Sequence, residues 1–192
     1  MKTRARVALA LGVLWCTPAA AAQATHQLHV LGGLGIAVPY PVNDQNVNGS
    51  GIGAYAQAEY VYAKLEWVTP RAYSGLMFTA ARDDCDDGVS PCDVSAKIWF
   101  LGGKVRLLAP IPYVAPFFEL GMGVSLGSLS TQVGDLLDVK HTGAAYHVPF
   151  ALGLALGENR DFELSLHYLF HPEQQQFGGA IAFGVSFPLS AD

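Results

Sequence analysis

Apolar and small or polar residues alternate along most of this chain with a period of two. From Phe177 to Leu189 the odd positions are large and apolar except for Gly179, while the even positions are Gly, Ala, Ser or Pro. Because side chains on a strand point alternately to its two faces, such a run predicts a β-strand with one apolar face. The same alternation recurs in four other runs: 28–38, 118–126, 146–156 and 162–170.

The alternating runs and the breaks between them predict eight strands. We place them at 26–38, 51–64, 72–82, 94–108, 113–127, 143–157, 160–170 and 177–188. Tight turns are expected at 68–71, 109–112 and 158–159, and they alternate with longer connections at 39–50, 83–93, 128–142 and 171–176. In strand 4 the inward parity changes between Lys97 and Lys104, so a β-bulge is expected near Gly102 and Gly103, where glycine permits it.

The small-residue face of these strands decides between two kinds of β protein. A soluble sandwich turns its large apolar face inward and covers the other face with Lys, Glu, Thr and Ser. Here the second face is mostly Gly, Ala and Ser, which suits a narrow lumen and not bulk water. A transmembrane barrel has this inverted pattern, and it must close because an open edge in lipid leaves backbone groups unpaired. The sequence therefore predicts an all-β, eight-stranded antiparallel up-and-down transmembrane β-barrel.

This pattern of strands resembles the small eight-stranded bacterial outer-membrane barrels of the OmpA-transmembrane-domain, OmpX and OmpW kind. The resemblance covers residues 25–192 and implies an integral outer-membrane protein with extracellular loops. It also implies contact with outer-membrane lipid and lipopolysaccharide, and with the insertion machinery; we expect a monomer. One departure concerns the C-terminus: such barrels usually end on an aromatic residue, whereas Pro188–Asp192 follow Phe187 here.

The first 24 residues have the three parts of a cleaved signal peptide. Lys2, Arg4 and Arg6 precede the apolar run 7–15, and Ala22-Gln-Ala24 fits an A-x-A cleavage site, so residues 25–192 form the predicted barrel domain. A membrane anchor is the first alternative, but the run is too short for about 30 Å of hydrocarbon. A lipidated Cys16 is the second, but Trp15 stands where that signal needs a small residue.

Charge supports a membrane protein and argues against a nucleic-acid partner. The chain has 11 Lys+Arg and 16 Asp+Glu; three of the basic residues lie in the signal peptide, which leaves 8 against 16, a net charge of −8. Such an acidic chain does not suit a polyanion. Only 14% of the residues are charged, fewer than a soluble acidic domain of this size usually carries.

Cys85 and Cys92 remain after signal cleavage, and they lie close together in one predicted loop. A pair of cysteines in an exported chain predicts a disulfide. Five aspartates of the same loop offer calcium as an alternative, but they lack the spacing of a calcium loop: Asp83, Asp84, Asp86, Asp87 and Asp93. We expect no metal and no cofactor.

The inward parity collects ionisable side chains in the predicted lumen. They are Glu59, Lys104, Arg106, Glu119, Glu163, His29, His147 and His167. Charges in a narrow lumen are costly unless they are paired, so we interpret the set as a plugging salt-bridge network. The alternative is a polar pathway for protons or a small solute.

These observations favour a non-catalytic barrel with a structural or surface-interaction role. The first alternative is a small, porin-like channel of the OmpW kind for small or apolar solutes. The second is a lipid A-modifying enzyme, since some eight-stranded barrels deacylate lipid A with a His-x-Ser motif and a glutamate. His167 and His171-Pro-Glu173 partly fit, but Leu169 replaces the nucleophilic serine.

Overall fold

The computed structural model describes residues 26–39, 50–63, 67–81, 92–133, 137–174 and 176–189, and these form a closed barrel of eight antiparallel strands. Each strand pairs with its neighbours in sequence, and β1 pairs with β8 to close the barrel. This confirms the predicted fold class. The strands are β1 Gln27–Pro39, β2 Gly51–Val61, β3 Val68–Ala81, β4 Cys92–Leu108, β5 Val114–Val133, β6 Leu137–Leu156, β7 Phe162–His171 and β8 Gln176–Pro188.

The two faces of the barrel wall differ as the alternation predicts. Large apolar side chains point outward, and Leu34, Met122 and Phe183 are 64%, 75% and 51% exposed. Carboxylates point inward, and Glu59 and Glu119 are fully buried. An apolar exterior around a polar interior suits lipid and not water. None of the described residues belongs to a helix long and apolar enough to cross a membrane.

The barrel has two unlike ends. At the turn end, the first residue of β1 pairs with the last residue of β8, and the β4–β5 and β6–β7 connections are short. At the loop end, the longer β1–β2 and β3–β4 connections leave the barrel, together with the β5–β6 and β7–β8 connections. The predicted alternation of short and long connections therefore holds at β1–β2 and β3–β4 but is wrong at β5–β6 and β7–β8, whose connections of three and four residues are shorter than the turn-end ones.

The predicted turn at 68–71 is wrong. Strand β3 begins at Val68 and pairs with β4 from there, so the β2–β3 connection lies before it. Pro70 suggested a turn, but it sits near the start of the strand, a position that proline tolerates. As a result, Arg71 belongs to the strand and shares the inward parity of Tyr73.

The predicted bulge in β4 is also wrong. The pairing of β4 with β5 runs without interruption from Cys92 to Leu108, and Gly102 and Gly103 pair in register with Gly123 and Met122. Lys97 is exposed on the outer face, whereas Lys104 is buried inside. The apparent change of parity arose from the assumption that every lysine of this strand must face the lumen.

Strands β5 and β6 extend beyond the rest of the barrel at the loop end. Within 128–142, predicted as a loop, all the described residues belong to strand β5 or strand β6. Together with Cys92–Ile98 of β4, Gly127–Val133 and Leu137–Gly143 form a three-stranded sheet that we call the loop-end extension. Its outer face is polar because an element beyond the lipid needs no apolar face there.

Several predictions fall outside the described residues. The signal peptide, its cleavage after Ala24, Cys85 and the aspartates 83–87 are among them. Cys92 begins β4, but its side chain is not described. The disulfide and the cleavage site therefore stay predictions.

Candidate functional site

Six charged side chains fill the turn-end half of the lumen, and we call them the lumen network. They are Glu59, Arg71, Lys104, Arg106, Glu119 and Glu163. The strand register brings them together, because Arg71 pairs with Lys104 across β3–β4 and Arg106 pairs with Glu119 across β4–β5. All six residues are buried or nearly so, and the side chain of Arg71 is the most exposed at 9%.

Each carboxylate of the network touches a cation. The Nζ of Lys104 lies 2.5 Å from Glu59 Oε1 and 2.5 Å from Glu119 Oε2. The guanidinium of Arg106 donates from Nε to Glu119 Oε1 at 2.6 Å, and its terminal nitrogen lies 2.7 Å from Glu163 Oε2. Glu163 therefore depends on one cation, whereas Glu119 has two close partners.

Arg71 completes the network, and it was not among the predicted site residues. Its guanidinium donates to Glu59 Oε2 at 2.5 Å, and its Nε lies 3.8 Å from Glu119 Oε1. With Arg71 included, three carboxylates face three cations, so the formal charge is balanced. An extension of β3 by four residues at unchanged parity would have identified this residue from the sequence.

His29 lies beside the network. Its Nδ1 is 3.0 Å from the Arg71 guanidinium. The same atom is 3.7 Å from Glu59 and 3.5 Å from Glu163. The imidazole therefore lies between one cation and two carboxylates of the network.

Further lumen groups fix the geometry of the network. Gln57 donates from Nε2 to Glu59 Oε1 at 2.6 Å, and its own carbonyl accepts a hydrogen bond from the Tyr55 hydroxyl. At the turn end, the Arg106 guanidinium stacks 3.6 Å from the centroid of the Phe117 ring. Hydrogen bonds and this cation–π contact hold the charged groups in place and reduce the cost of their burial.

His147 and His167, which we predicted as members of the network, hydrogen-bond to hydroxyl groups, and His147 forms a polar layer with Tyr73, Ser125 and His171. The ring of His147 contacts the Tyr73 hydroxyl at 2.7 Å through Nε2 and Ser125 Oγ at 2.9 Å through Nδ1. Ser125 Oγ also lies 2.9 Å from Nε2 of His171. His167 lies 2.8 Å from Ser165 Oγ.

The absence of a side chain at Gly123 leaves space for the contact between Tyr73 and His147. A Cβ on Gly123 would overlap the Tyr73 hydroxyl and lie 2.7 Å from His147 Nε2. The alternating run 118–126 predicts a strand but gives no sign of this contact, because the contact joins β3 to β6 across the lumen.

Apolar side chains line much of the loop-end half of the lumen, together with the buried polar residues Thr79, Thr131 and Gln176. Its buried side chains include Ala37, Met77, Val94, Ile98, Leu129, Ala145 and Leu169. Met77 pairs with Ile98 across β3–β4, and both are at most 1% exposed. Above them, the buried Gln176 donates to the backbone oxygen of Ser95 at 3.3 Å. On its loop-end side the polar layer therefore meets both apolar side chains and the buried polar side chain of Gln176.

The described residues do not assemble a reactive centre that reaches the barrel exterior. His167 and Ser165 are paired, but both face the lumen and are at most 5% exposed. His171 is fully buried as well. Within the described ranges, no group of three or more His, Cys, Asp and Glu side chains is placed to hold a metal ion.

Comparison with known proteins supports the fold and no more specific relationship. No family model matches the sequence, and no curated protein does. The structure is similar to the crystal structure of Neisserial surface protein A, with a TM-score of 0.59 at 10% identity, over 85% of this chain and 97% of that one. It is also similar to the N-terminal β-barrel domain of Pseudomonas aeruginosa OprF, with a TM-score of 0.50 at 11% identity, over 87% and 100% of the two chains. The chain thus has the fold of the small eight-stranded outer-membrane barrels, as its strand pattern predicts.

Proposed function

We propose that this chain is a non-catalytic bacterial outer-membrane barrel whose closed lumen supports a structural or surface-interaction role at the loop end. The observation that carries the proposal is the lumen network, in which each of the three carboxylates has a cation nitrogen within 2.7 Å. An eight-stranded barrel is only just wide enough for its own side chains. Paired charges in the turn-end half and apolar side chains such as Met77 and Ile98 in the loop-end half fill most of the lumen, so we expect it not to conduct.

Insertion in the outer membrane is supported by the exterior of the barrel. Its outward side chains are large and apolar on all sides, and such a surface is stable only in contact with lipid. One of the similar solved barrels is named a surface protein, which agrees with a role at the cell surface. We expect the loop end to face the exterior and the turn end the periplasm.

A pair of neighbouring residues tests this orientation of the wall. Leu152 is 50% exposed on the outer face, whereas Ala151 is 2% exposed and faces the lumen. Leu152→Arg places a guanidinium in the lipid and should cost ~2–4 kcal/mol or block assembly, while Ala151→Ser should be tolerated. Folded and unfolded bands on unboiled SDS gels measure both, and equal tolerance would contradict the proposed membrane face.

A channel of the OmpW kind for small or apolar solutes is the main alternative, and single-channel recording distinguishes the two. We expect the purified barrel to show no resolved conductance in planar bilayers. A reproducible conductance whose ion selectivity changes in the Arg106→Met variant would show that the lumen conducts. It would contradict the proposed closed lumen. Mass spectrometry of lipid A from cells with and without the protein tests the enzymatic alternative, for which we expect no difference.

The predicted disulfide belongs to the same proposal, because Cys85 and Cys92 flank an acidic loop at the loop end. Closing so short a ring should stabilise the loop by ~2 kcal/mol. Alkylation before reduction should therefore label neither thiol in native material. Full labelling of both would show that the pair is reduced.

A further inference from the structure

A cavity of about 670 Å³ opens at the turn end of the barrel, and we call it the turn-end cavity. Gln27, the first residue of β1, lies on one side of it with Ser186 and Pro188 of β8. Residues of the β4–β5 and β6–β7 connections form the other side. Small-molecule sites usually have volumes of ~300–1,000 Å³, so the cavity is large enough to hold a ligand. Its lining is separate from the six residues of the lumen network.

Two residues that line the turn-end cavity have an unusual backbone conformation. Tyr113 and Arg160 have φ of 65° and 61°, and within the described ranges they are the non-glycine residues with positive φ. Non-glycine residues stay in this left-handed region only where the surrounding structure determines them, and such residues are concentrated at functional sites. Their presence together at one cavity indicates that its shape is specified.

Backbone hydrogen bonds fix the walls of the cavity. The N–H of Gly157 donates to the carbonyl of Tyr113 at 2.9 Å, which joins the β6–β7 connection to the β4–β5 connection. The N–H of Arg160 donates to the carbonyl of Gly157 at 3.2 Å, and the N–H of Ser186 donates to that of Asp161 at 2.8 Å. The walls are therefore preformed, and a ligand need not order them when it binds.

Three charged side chains line the cavity without an ion pair. Among the described residues, Glu158, Arg160 and Asp161 take part in no salt bridge, whereas every charge of the lumen network has a partner. Arg160 and Asp161 are also half-buried, so each has lost part of its hydration. A lone anion would be repelled by the two carboxylates, and a lone cation by the guanidinium. The set therefore favours a ligand that carries both an ammonium group and a carboxylate.

The charges also indicate how such a ligand is oriented. Asp161 lies two positions before Glu163, an inward residue of β7, so it is on the lumen side of the cavity. Glu163 Oε1 is buried there and accepts no hydrogen bond from the described residues. This acidic side suits the ammonium group. The guanidinium of Arg160 can hold the carboxylate by two parallel hydrogen bonds.

We propose that the turn-end cavity binds a short peptide with free termini, its ammonium group beside Asp161 and its carboxylate on Arg160. Tyr113, which is 64% exposed, offers an apolar wall with Pro112 and Pro188 for a side chain of the peptide. A dipeptide has a suitable size, since two residues span about 7 Å at ~3.5 Å each. This site goes beyond the proposed role at the loop end and does not depend on it.

The test uses the full mature chain folded in detergent micelles and isothermal titration calorimetry with the dipeptide Ala-Phe. Arg160→Asn removes the guanidinium, and asparagine tolerates the left-handed backbone at this position. Asp161→Asn removes the carboxylate, and Asp138→Asn, at an exposed carboxylate of the loop end, is the matched control. We expect saturable binding, a dissociation constant at least ~10-fold weaker for each cavity variant, and a change within ~2-fold for Asp138→Asn.

Two modified peptides test the same contacts on the unsubstituted protein. The C-terminal amide of Ala-Phe lacks the carboxylate, so it should bind at least ~10-fold more weakly, and Arg160→Asn should weaken it no further. N-acetyl-Ala-Phe lacks the ammonium group and should be insensitive to Asp161→Asn in the same way. The absence of saturable binding of Ala-Phe, or equal binding of the three peptides, overturns the proposal. The cavity variants should leave heat modifiability and conductance unchanged, so failure here is distinguishable from failure of the proposed function.

Discussion

In the turn-end half of the lumen each of six charged side chains lies within ion-pair distance of an opposite charge, whereas the loop-end half is lined mainly by apolar side chains such as Met77 and Ile98. Both halves are closed, but the free energy of each has a different origin. Every charged group of the network is buried away from water, so the stability of the turn-end half depends on the partners of each ion. In the apolar half, each group contributes through its own burial and packing.

The difference between the halves predicts how far the effect of a single substitution extends from the substituted residue. Removing a cation leaves a carboxylate buried without its partner, so the effect reaches a second residue on another strand. Removing a methylene group leaves a small cavity where it was. The predictions below test this contrast, from the largest expected effect to the smallest.

Arg106→Met should have the largest effect, ~3–5 kcal/mol, because breaking a buried pair leaves an uncompensated charge. Glu163 loses its close cation, whereas Glu119 retains Lys104 at 2.5 Å. The folded band on SDS gels should therefore convert to the unfolded band at a clearly lower temperature.

Two further variants sharpen this result. Adding Glu163→Gln to Arg106→Met should recover part of the loss, since the stranded carboxylate is neutralised. Lys140→Met, which removes an exposed cation 3.9 Å from Asp138, should change the folding temperature little. If Arg106→Met behaves like Lys140→Met, the network does not hold the turn-end half together.

Substitutions of Ile98 test whether water enters the loop-end half of the lumen. Ile98→Val removes one methylene group and should cost ~0.5–1.5 kcal/mol. Ile98→Thr has nearly the same shape but buries a hydroxyl, and without a partner this should add ~1–3 kcal/mol. The comparison of Thr with Val by urea titration in lipid vesicles is the measurement. Equal stability of the two variants would show that water reaches this half.

The sequence was most informative where one side of a strand meets lipid. Alternation identifies strands such as β7 and β8 because an outward residue in the membrane must be apolar, as Leu164 and Phe183 are. This constraint ends above the membrane. There Ser128 and Lys140 share the outer face of the extension, and the polar run was interpreted as a loop although it is paired strand.

The members of the site were harder to predict than the strands. Parity places Glu119 and Arg106 in the lumen, but it does not say which inward residues meet across it. Tyr73 and His147 are 74 residues apart and meet because β3 and β6 face each other through the space left by Gly123. Arg71 was missed for a local reason, since Pro70 suggested a turn at the start of a strand.

The smallest expected effect lies in the polar layer between the two halves. Tyr73→Phe removes the hydroxyl that meets His147 Nε2 at 2.7 Å and leaves the rest of the ring in place. In this variant a neutral imidazole can take the tautomer with its proton on Nδ1, toward Ser125. Only the acceptor at Nε2 then lacks a hydrogen-bond partner. The loss should therefore resemble that of an ordinary hydrogen bond, ~0.5–1.5 kcal/mol. Tyr146→Phe, on the outer face at 48% exposure, is the matched control and should be neutral. A loss of stability from Tyr73→Phe as large as that from Arg106→Met would mean that the polar layer and the lumen network act as one unit. The turn-end half would then include His147.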